Sequence, residues 1–422
     1  MSINVMVFMP EAVPKIEGHA AFYTHLKNGR VDEARIIGLE NDRFVEKILV
    51  GRKYWEAPII TSRICGICPT IHNVTSTKAI ESACGVTPSA QTKTLRELML
   101  AGQMIQSHSL HLYLLVLPDY VGVSSSFELQ KNHPELFKNA IILKKYADKI
   151  LEIVGGRAVH PIASVPGGFK SYPIKSELRE LLLLSSETEK TAEETISLFS
   201  DFQYPEIKHE VISSALHDHK NYAFYEWDIW TSQGDHFEAQ DYSKYIYEEL
   251  KPYTRAKFGT LKGEVMHVGA MARMNLNKFP NQRTAKIAKK YELRLPFDNA
   301  FDNIIAQALE NYYFVIRSID ILKDLTKNGL KNEHIKPPKS FGIGTSACEA
   351  PRGTLFHHYE LNDEGDIIKC DIITPTVQNL TALEQDIKTV TSLYKTKNVS
   401  ERNKTIEMLI RAYDPCITCA TH

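Results

Sequence analysis

Two Cys-x-x-Cys pairs stand at opposite ends of this chain, Cys65/Cys68 and Cys416/Cys419, with nearly the whole sequence between them. If both serve one site, the fold has to carry the C-terminal pair back to the first pair and pin a tail that would otherwise fray. Four soft thiolates suit zinc, an iron–sulfur cluster or nickel. Zinc ribbons space their pairs about 15–20 residues apart, so the long separation weighs against a structural zinc site and leaves it open. Seven cysteines in 422 residues are too few for a disulfide scaffold. Four of them in two pairs point to metal or redox work in a reducing compartment. The others, Cys84, Cys348 and Cys370, are isolated and read as buried small hydrophobes, with Cys348 the one nearest a candidate motif.

Charge narrows the partners. Fifty Lys and Arg against 51 Asp and Glu give a net charge of −1 without a long run of either sign, which argues against nucleic acid and anionic membrane. The longest apolar stretch, 110–117, is far short of the roughly 20 residues a spanning helix needs. The opening MSINVMVFMPEAVPK lacks the layout of a signal peptide. A soluble cytoplasmic chain with no membrane span is expected.

The pattern predicts a mainly α fold with a small β portion (α+β), one unit over 1–422, in which β-rich stretches at 1–60 and 341–378 flank a helical core. Apolar runs around Asn28-Gly29 read as a hairpin within a 16–50 strand region. Helical spacing recurs at 92–117, 135–156, 176–199, 299–325, 381–395 and 399–412. Residues 203–275 are mixed and unassigned.

The thiolates carry an acid–base setting that a structural metal would not need. His72 and His422 follow the two pairs, Gly66 and Pro415 shape the backbone beside them, and Asp414 precedes the second. CEAPRGTLFHH (348–358) places Glu349 and Arg352 in a turn. Arg352 there could hold anionic ligands; a surface ion pair between the two is the plain alternative. His108 and His111 lie one turn apart and are read as helix-packing or supporting residues rather than a metal pair.

Arg63-x-Cys65-Gly66-x-Cys68-x-x-x-His72, Asp414-Pro415-Cys416-x-x-Cys419-x-x-His422 and Glu349-Ala-Pro-Arg-Gly together resemble the large subunit of nickel–iron hydrogenases. The likeness runs from KIEGHA (15–20) to the last residue, and QSHSLHLYLLVLPDY and DIITPTVQN resemble the cytoplasmic NAD(P)-linked, sulfhydrogenase-like group. Ser107 stands where membrane-bound uptake enzymes usually carry Asp. The resemblance implies a Ni–Fe(CO)(CN)2 centre with Cys65 and Cys416 terminal on nickel and Cys68 and Cys419 bridging to iron. Arg352 and Thr376, with Pro351 and Pro375, would surround the cyanides, and His72 and Asp414 would stand behind the ligands. Glu17 would be the proton gate. Glu46, the Ile372 carbonyl and the His422 ring would hold a second ion, Mg2+ or Fe2+.

The chemistry agrees with the motif. Hydrogen is a very weak acid, so heterolysis needs a Lewis acid and an adjacent base; Cys416 is the expected base and Glu17 the expected relay. No spare cysteine cluster is left for an electron wire. The resemblance therefore implies iron–sulfur clusters in a partner small subunit, NAD(P)-reducing flavin and iron–sulfur subunits beyond it, and a maturation protease that trims the precursor after a terminal His, so that a chain ending at His422 reads as processed. Rival readings are a relative coupled to deazaflavin or heterodisulfide reduction, a quinone-module subunit of the complex I type, which the four cysteines oppose, and a zinc-stabilised non-enzyme.

Overall fold

The fold is that of a computed structural model, which describes residues 10–28 and 30–422. The expectations placed on the opening stretch 1–9 and on Gly29 of the hairpin turn lie outside the described residues. Strands β1 (Glu11–Val13), β2 (Ala20–Lys27) and β3 (Arg30–Gly38) form an antiparallel sheet, so the strands on either side of Asn28 pair as the sequence suggested. The strand reading does not extend through 16–50: Val45–Leu49 is a short helix, a single turn that offers too little sequence for a period to show.

Helix α1 (Pro69–Ala83) begins at Cys68, with proline in the first helical position, where its missing N–H costs nothing. Helices α2 (Ala90–Leu110), α3 (Pro134–Gly155) and α4 (Lys175–Ser200) follow. With α5 (Asp302–Asn328) they pack in cyclic order as a four-helix bundle. Helix α5 is buried almost all round, as expected of an apolar helix at the centre of a large core. Among its buried polar residues, Gln307, Glu310 and Asn311 bond His111, His108 and Ser109. The expected helix over 92–117 is interrupted: after Leu110 the chain takes a π-helical turn, His111–Val116, before helix resumes at Leu117–Val121.

The unassigned 203–275 region supplies a four-stranded sheet from β4 (Ile212–His217), β5 (Asp228–Thr231), β6 (His236–Phe237) and β7 (Met266–His267), in the order β7-β4-β5-β6. The β portion thus comes from the middle of the chain as well as its ends. Late in the chain β8 (Ile343–Ala350), β9 (Gly353–Leu361) and β10 (Ile367–Ile373) make an antiparallel sheet whose first hairpin turns at Pro351-Arg352. Helices α6 (Pro375–Leu393) and α7 (Val399–Ala412) lead to the tail. No helix among the described residues is long and apolar enough to cross a membrane.

Strand β8 crosses α1 so closely that Gly344 has no space for a side chain. A Cβ there would lie 2.1 Å from the Ala79 carbonyl oxygen and 2.3 Å from the Ala83 nitrogen. Gly344→Ala should therefore destabilise the protein by about 3 kcal/mol, the upper end for overpacking, because backbone meets backbone. Gly342→Ala, whose Cβ would meet nothing nearer than 3.9 Å, should stay within about 0.5 kcal/mol. Thermal unfolding of the two variants checks the difference.

Candidate metal centre

The first cysteine pair is built by a turn and a helix start. The Cys65 sulfur accepts the backbone N–H groups of Ile67 and Cys68 at 3.3 and 3.2 Å. Cys68 sits at the N-terminus of α1, yet its thiol is held above the usual range: hydrogen bonds with Cys416 and Cys419 lower it, but Cys65 and burial outweigh them. Gln103 of α2 clamps this loop, accepting from Thr70 N at 2.9 Å and donating to the Ile67 carbonyl at 2.7 Å.

The second pair is carried in by the tail. Asp414 takes a left-handed conformation (φ 51°) that reverses the chain after α7, and Cys416 opens a last helical turn, Ile417–Ala420. Glu17 lies against this tail: its carbonyl accepts from Ile417 N at 3.0 Å, and the two segments pair as a parallel bridge at Glu17 and Cys416. Gly18 permits the approach, since a Cβ would meet Ile417 Cβ at 3.0 Å and φ is +77°. Thr376 Oγ1 accepts from Cys416 N at 3.0 Å, and Arg43 donates to the carbonyls of both Ile64 and Thr418, tying the two cysteine loops together.

The four sulfurs all lie within 4.8 Å of one another, with Cys65 and Cys416 3.4 Å apart and Cys68 and Cys419 3.5 Å apart. Burial pushes the Cys416 and Cys419 thiols well up; all three sulfur neighbours add to it at Cys416, while at Cys419 the Cys416 hydrogen bond opposes it and Cys65 and Cys68 add to it. Cys65 is driven the other way: burial would raise it, but hydrogen bonds from the other three cysteines and the Arg352 charge bring it far below the thiol range. Four thiolates cannot coexist in this volume without a cation to share them. A bound soft metal supplies one.

Beside the sulfurs lies a small cavity of about 10 Å³, bounded by Cys68, Cys416 and Cys419, with His72, Pro351, Arg352, Pro375 and Thr376 in its wall. Arg352 is buried, not a surface residue, and its partner is not Glu349. Its Nε donates to the Asp414 carbonyl at 2.6 Å and its Nη2 to Asp414 Oδ1 at 2.8 Å, while Nη1 is buried without a partner. Glu349 is equally buried, bonded to Arg273 at 2.8 Å. The hairpin tip points inward because Arg273 also holds the Ala350 and Pro351 carbonyls, at 2.8 and 3.1 Å. A closed structural zinc site needs no orphaned guanidinium N–H beside it; a centre bearing anionic ligands would give that N–H a partner.

Behind the sulfurs, His72 Nε2 is 3.7 Å from the Cys419 sulfur and its Nδ1 is 3.2 Å from His357 Nε2. Burial drives His72 down to about 3, so the ring is neutral. Glu17 Oε2 is 2.9 Å from the Cys416 sulfur and accepts from Thr418 N at 3.2 Å, and Oε1 takes the Thr418 hydroxyl at 2.5 Å. Burial, with the Cys65 charge behind it, raises the Glu17 carboxyl.

The residues expected around a second ion also come together. His422 Nδ1 donates to the Cys419 carbonyl at 2.6 Å, which leaves Nε2 2.9 Å from the Ile372 carbonyl oxygen and 3.6 Å from Glu46 Oε1. A nitrogen lone pair facing two oxygens requires a proton or a cation among them. Glu46 overcomes its burial through the His422 hydrogen bond and charge and is held at about 2, so it is ionised. Spacings near 3 Å suit neighbouring ligands on an ion with bonds of about 2.1 Å. Glu46, Ile372 and His422 therefore fit a small divalent cation.

Residues that spacing could not reveal are Arg43, Gln103, Gln307 and His357, each far in sequence from the motif it supports. Cys348 packs on Lys78 and the Tyr225 carbonyl and stays out of the cluster. His108 is bonded to Glu310 at 2.9 Å, a carboxylate that Arg273 already holds at 2.6 Å.

Four buried cysteine sulfurs from two distant segments, a cavity beside them and an unspent guanidinium N–H define a soft-metal redox centre sealed inside a helical protein. The model of the nickel-dependent hydrogenase family matches residues 43–139 and 185–422. The chain is 34% identical over 419 residues to the sulfhydrogenase 1 subunit alpha of Pyrococcus furiosus, covering 97% of this chain and 96% of the relative. It is 31% identical over 420 residues to sulfhydrogenase 2 subunit alpha of the same organism, covering 99% of each. An NAD+-reducing nickel–iron hydrogenase in its H2-reduced state has the same fold, with a TM-score of 0.88 at 26% identity over 98% of both chains. The chain belongs to the nickel-dependent hydrogenase family, as the large subunit of an H2-activating oxidoreductase.

Cys416→Ser exchanges a soft donor for a hard one and should abolish nickel retention in the purified protein. Cys370→Ser, outside the cluster, should keep the wild-type metal content. Elemental analysis of both variants checks the assignment.

Proposed function

We propose that this chain cleaves H2 reversibly into protons and electrons in the cytoplasm, the electrons passing through an iron–sulfur small subunit to NAD(P)-reducing flavin and iron–sulfur subunits. The observation that carries the reading is the Glu17 carboxylate 2.9 Å from the Cys416 sulfur, in the buried four-sulfur cluster. The acceptor rests on the likeness to the NAD+-reducing enzyme and to the sulfhydrogenase alpha subunits. A maturation protease belongs to the same reading. H2-dependent reduction of NAD(P)+ by the purified complex tests the acceptor.

A Ni–Fe(CO)(CN)2 centre held by Cys65, Cys68, Cys416 and Cys419 would supply the Lewis acidity that polarises H2. The chain does the rest. Cys416 takes the released proton on sulfur and passes it to Glu17 Oε2; the other oxygen, bonded to Thr418, is the way onward. Arg352 Nη1 and the Thr376 hydroxyl, with Pro351 and Pro375 as apolar walls, recognise the cyanides. Glu46, the Ile372 carbonyl and His422 would hold Mg2+, or Fe2+, which would lock the tail after Cys419. Infrared bands of iron-bound CO and cyanide in the purified protein test the centre; their absence sinks the reading.

Electrons need an exit, and among the described residues the four-cysteine group is the only cluster of three or more His, Cys, Asp or Glu side chains that could hold a metal. Phe44 and Trp55 are 63% and 51% exposed on the segment whose Arg43 touches both cysteine loops, alongside exposed Leu39 and Ile48. These exposed apolar side chains are read as part of the face that receives the iron–sulfur subunit. Phe44→Glu and Trp55→Glu should each weaken that association by about 2 kcal/mol or more, measured by co-elution of the subunits.

Glu17→Gln keeps size and hydrogen bonding but cannot relay a proton by ionising. Metal content should be normal, dye reduction and exchange between deuterium gas and water should collapse, and ortho–para hydrogen conversion should persist. Normal dye reduction and exchange in the variant would refute the gate.

A further inference from the structure

The π-helical turn begins at His111, and such turns collect at functional sites because they re-aim a side chain within an otherwise regular helix. The His111 ring is 1% exposed, and oxygens face both of its nitrogens. Nε2 is 2.6 Å from the Arg411 carbonyl oxygen and Nδ1 is 2.5 Å from Gln307 Oε1. A carbonyl oxygen only accepts, so Nε2 carries hydrogen. The orientation of the Gln307 amide is set at its other end, where its nitrogen donates to Asp414 Oδ2 at 3.1 Å. Asp414 is a carboxylate paired with Arg352 through its other oxygen at 2.8 Å. Turning the amide round would set two oxygens against each other, so Oε1 faces the ring and Nδ1 has to donate as well. At 2.5 Å there is no room for a water molecule or a metal ion between them. Protons on both nitrogens, assigned from these partners, make the ring an imidazolium.

We propose that His111 is a buried imidazolium that positions Asp414 through Gln307, so that one carboxylate is shared by two cations, Arg352 and His111. The direct separation from His111 Nε2 to Asp414 Oδ1 is 3.9 Å, close enough to add direct attraction to the relay. The three groups together carry one net positive charge, set behind four sulfurs that have to ionise to hold a metal. His111 touches neither the sulfurs nor the reacting atoms and is a positioning residue. Anchored on both carboxylate oxygens, Asp414 cannot rotate, and the Arg352 fork stays aimed with Nη1 turned to the cavity.

Neutron diffraction from D2O-exchanged crystals of the holoenzyme complex tests the charge directly. Deuterium is expected on both ring nitrogens of His111, with the Gln307 amide nitrogen facing Asp414. A single deuteron on the ring, or a reversed amide, overturns the proposal, and this arm is independent of what the cysteines bind. A second arm rests on the hydrogenase reading and uses the infrared bands of iron-bound CO and cyanide. Their presence in a variant upholds that reading, and their positions report the charge. His111→Gln should move all the bands to lower wavenumber together, and His111→Lys should bring them back towards the wild-type positions. Bands that stay in place in the Gln variant would also overturn the proposal.

Discussion

Everything in this protein depends on closing the chain on itself so that two cysteines from its first fifth meet two from its last seven residues. The closure is made by ordinary hydrogen bonds. Arg43 bonds the carbonyl of one cysteine loop and the carbonyl of the other. The Glu17 backbone pairs with the tail at Cys416, an approach that only glycine at position 18 allows. Thr376 and Thr374, at the start of α6, hold the tail backbone at Cys416 and Cys419. These contacts offset the repulsion of four crowded sulfurs, which the metal then relieves, so metal binding and tail ordering are coupled.

Around that closure the helical bundle behaves less as an oily filler than as a holder of polar groups. Helix α5 sends Gln307, Glu310 and Asn311 into the interior, where they meet His111, His108 and Ser109. Arg273, itself fully buried, joins Glu310 and Glu349 to the carbonyls of the Pro351-Arg352 turn. Buried networks of this kind are costly when incomplete and rigid when complete. Here they fix the one guanidinium that reaches the cavity, and the orphaned Nη1 marks where the network stops and ligand recognition begins.

Much of the architecture is legible because it is periodic. The helices over 134–155, 175–200 and 399–412 match their apolar spacing within a residue or so at each end. The strands over 343–373 fall within the 341–378 stretch read as β-rich, although the first two are buried along most of their length rather than on alternate residues. What escapes is short or non-local. Strand β7 is two residues long and pairs in parallel with β4 across more than fifty residues of chain, and no window of sequence contains that pairing. The π-helical turn at His111 is hidden for another reason: one extra residue in a turn does not disturb the apolar pattern on either side of it. The turn holding Arg352 reads as a surface feature from its Pro and Gly, yet the fold buries it, because turn chemistry governs local backbone and not depth.

By itself the sequence determined the donor set. Four cysteines, two histidines that follow them, an arginine in a turn and carboxylates at 17, 46 and 414 carry their chemistry in their side chains wherever the chain goes. The tertiary structure decided which of them meet, at what distance, and in what state of charge. It separated Glu349 from Arg352 and gave Asp414 to the arginine instead. It also placed Glu17 on the sulfur of Cys416 and left a cavity between the cysteines and the hairpin tip. The physical reason is that ligand identity is a property of a residue, whereas proximity, burial and field are properties of the packing of residues hundreds apart in sequence.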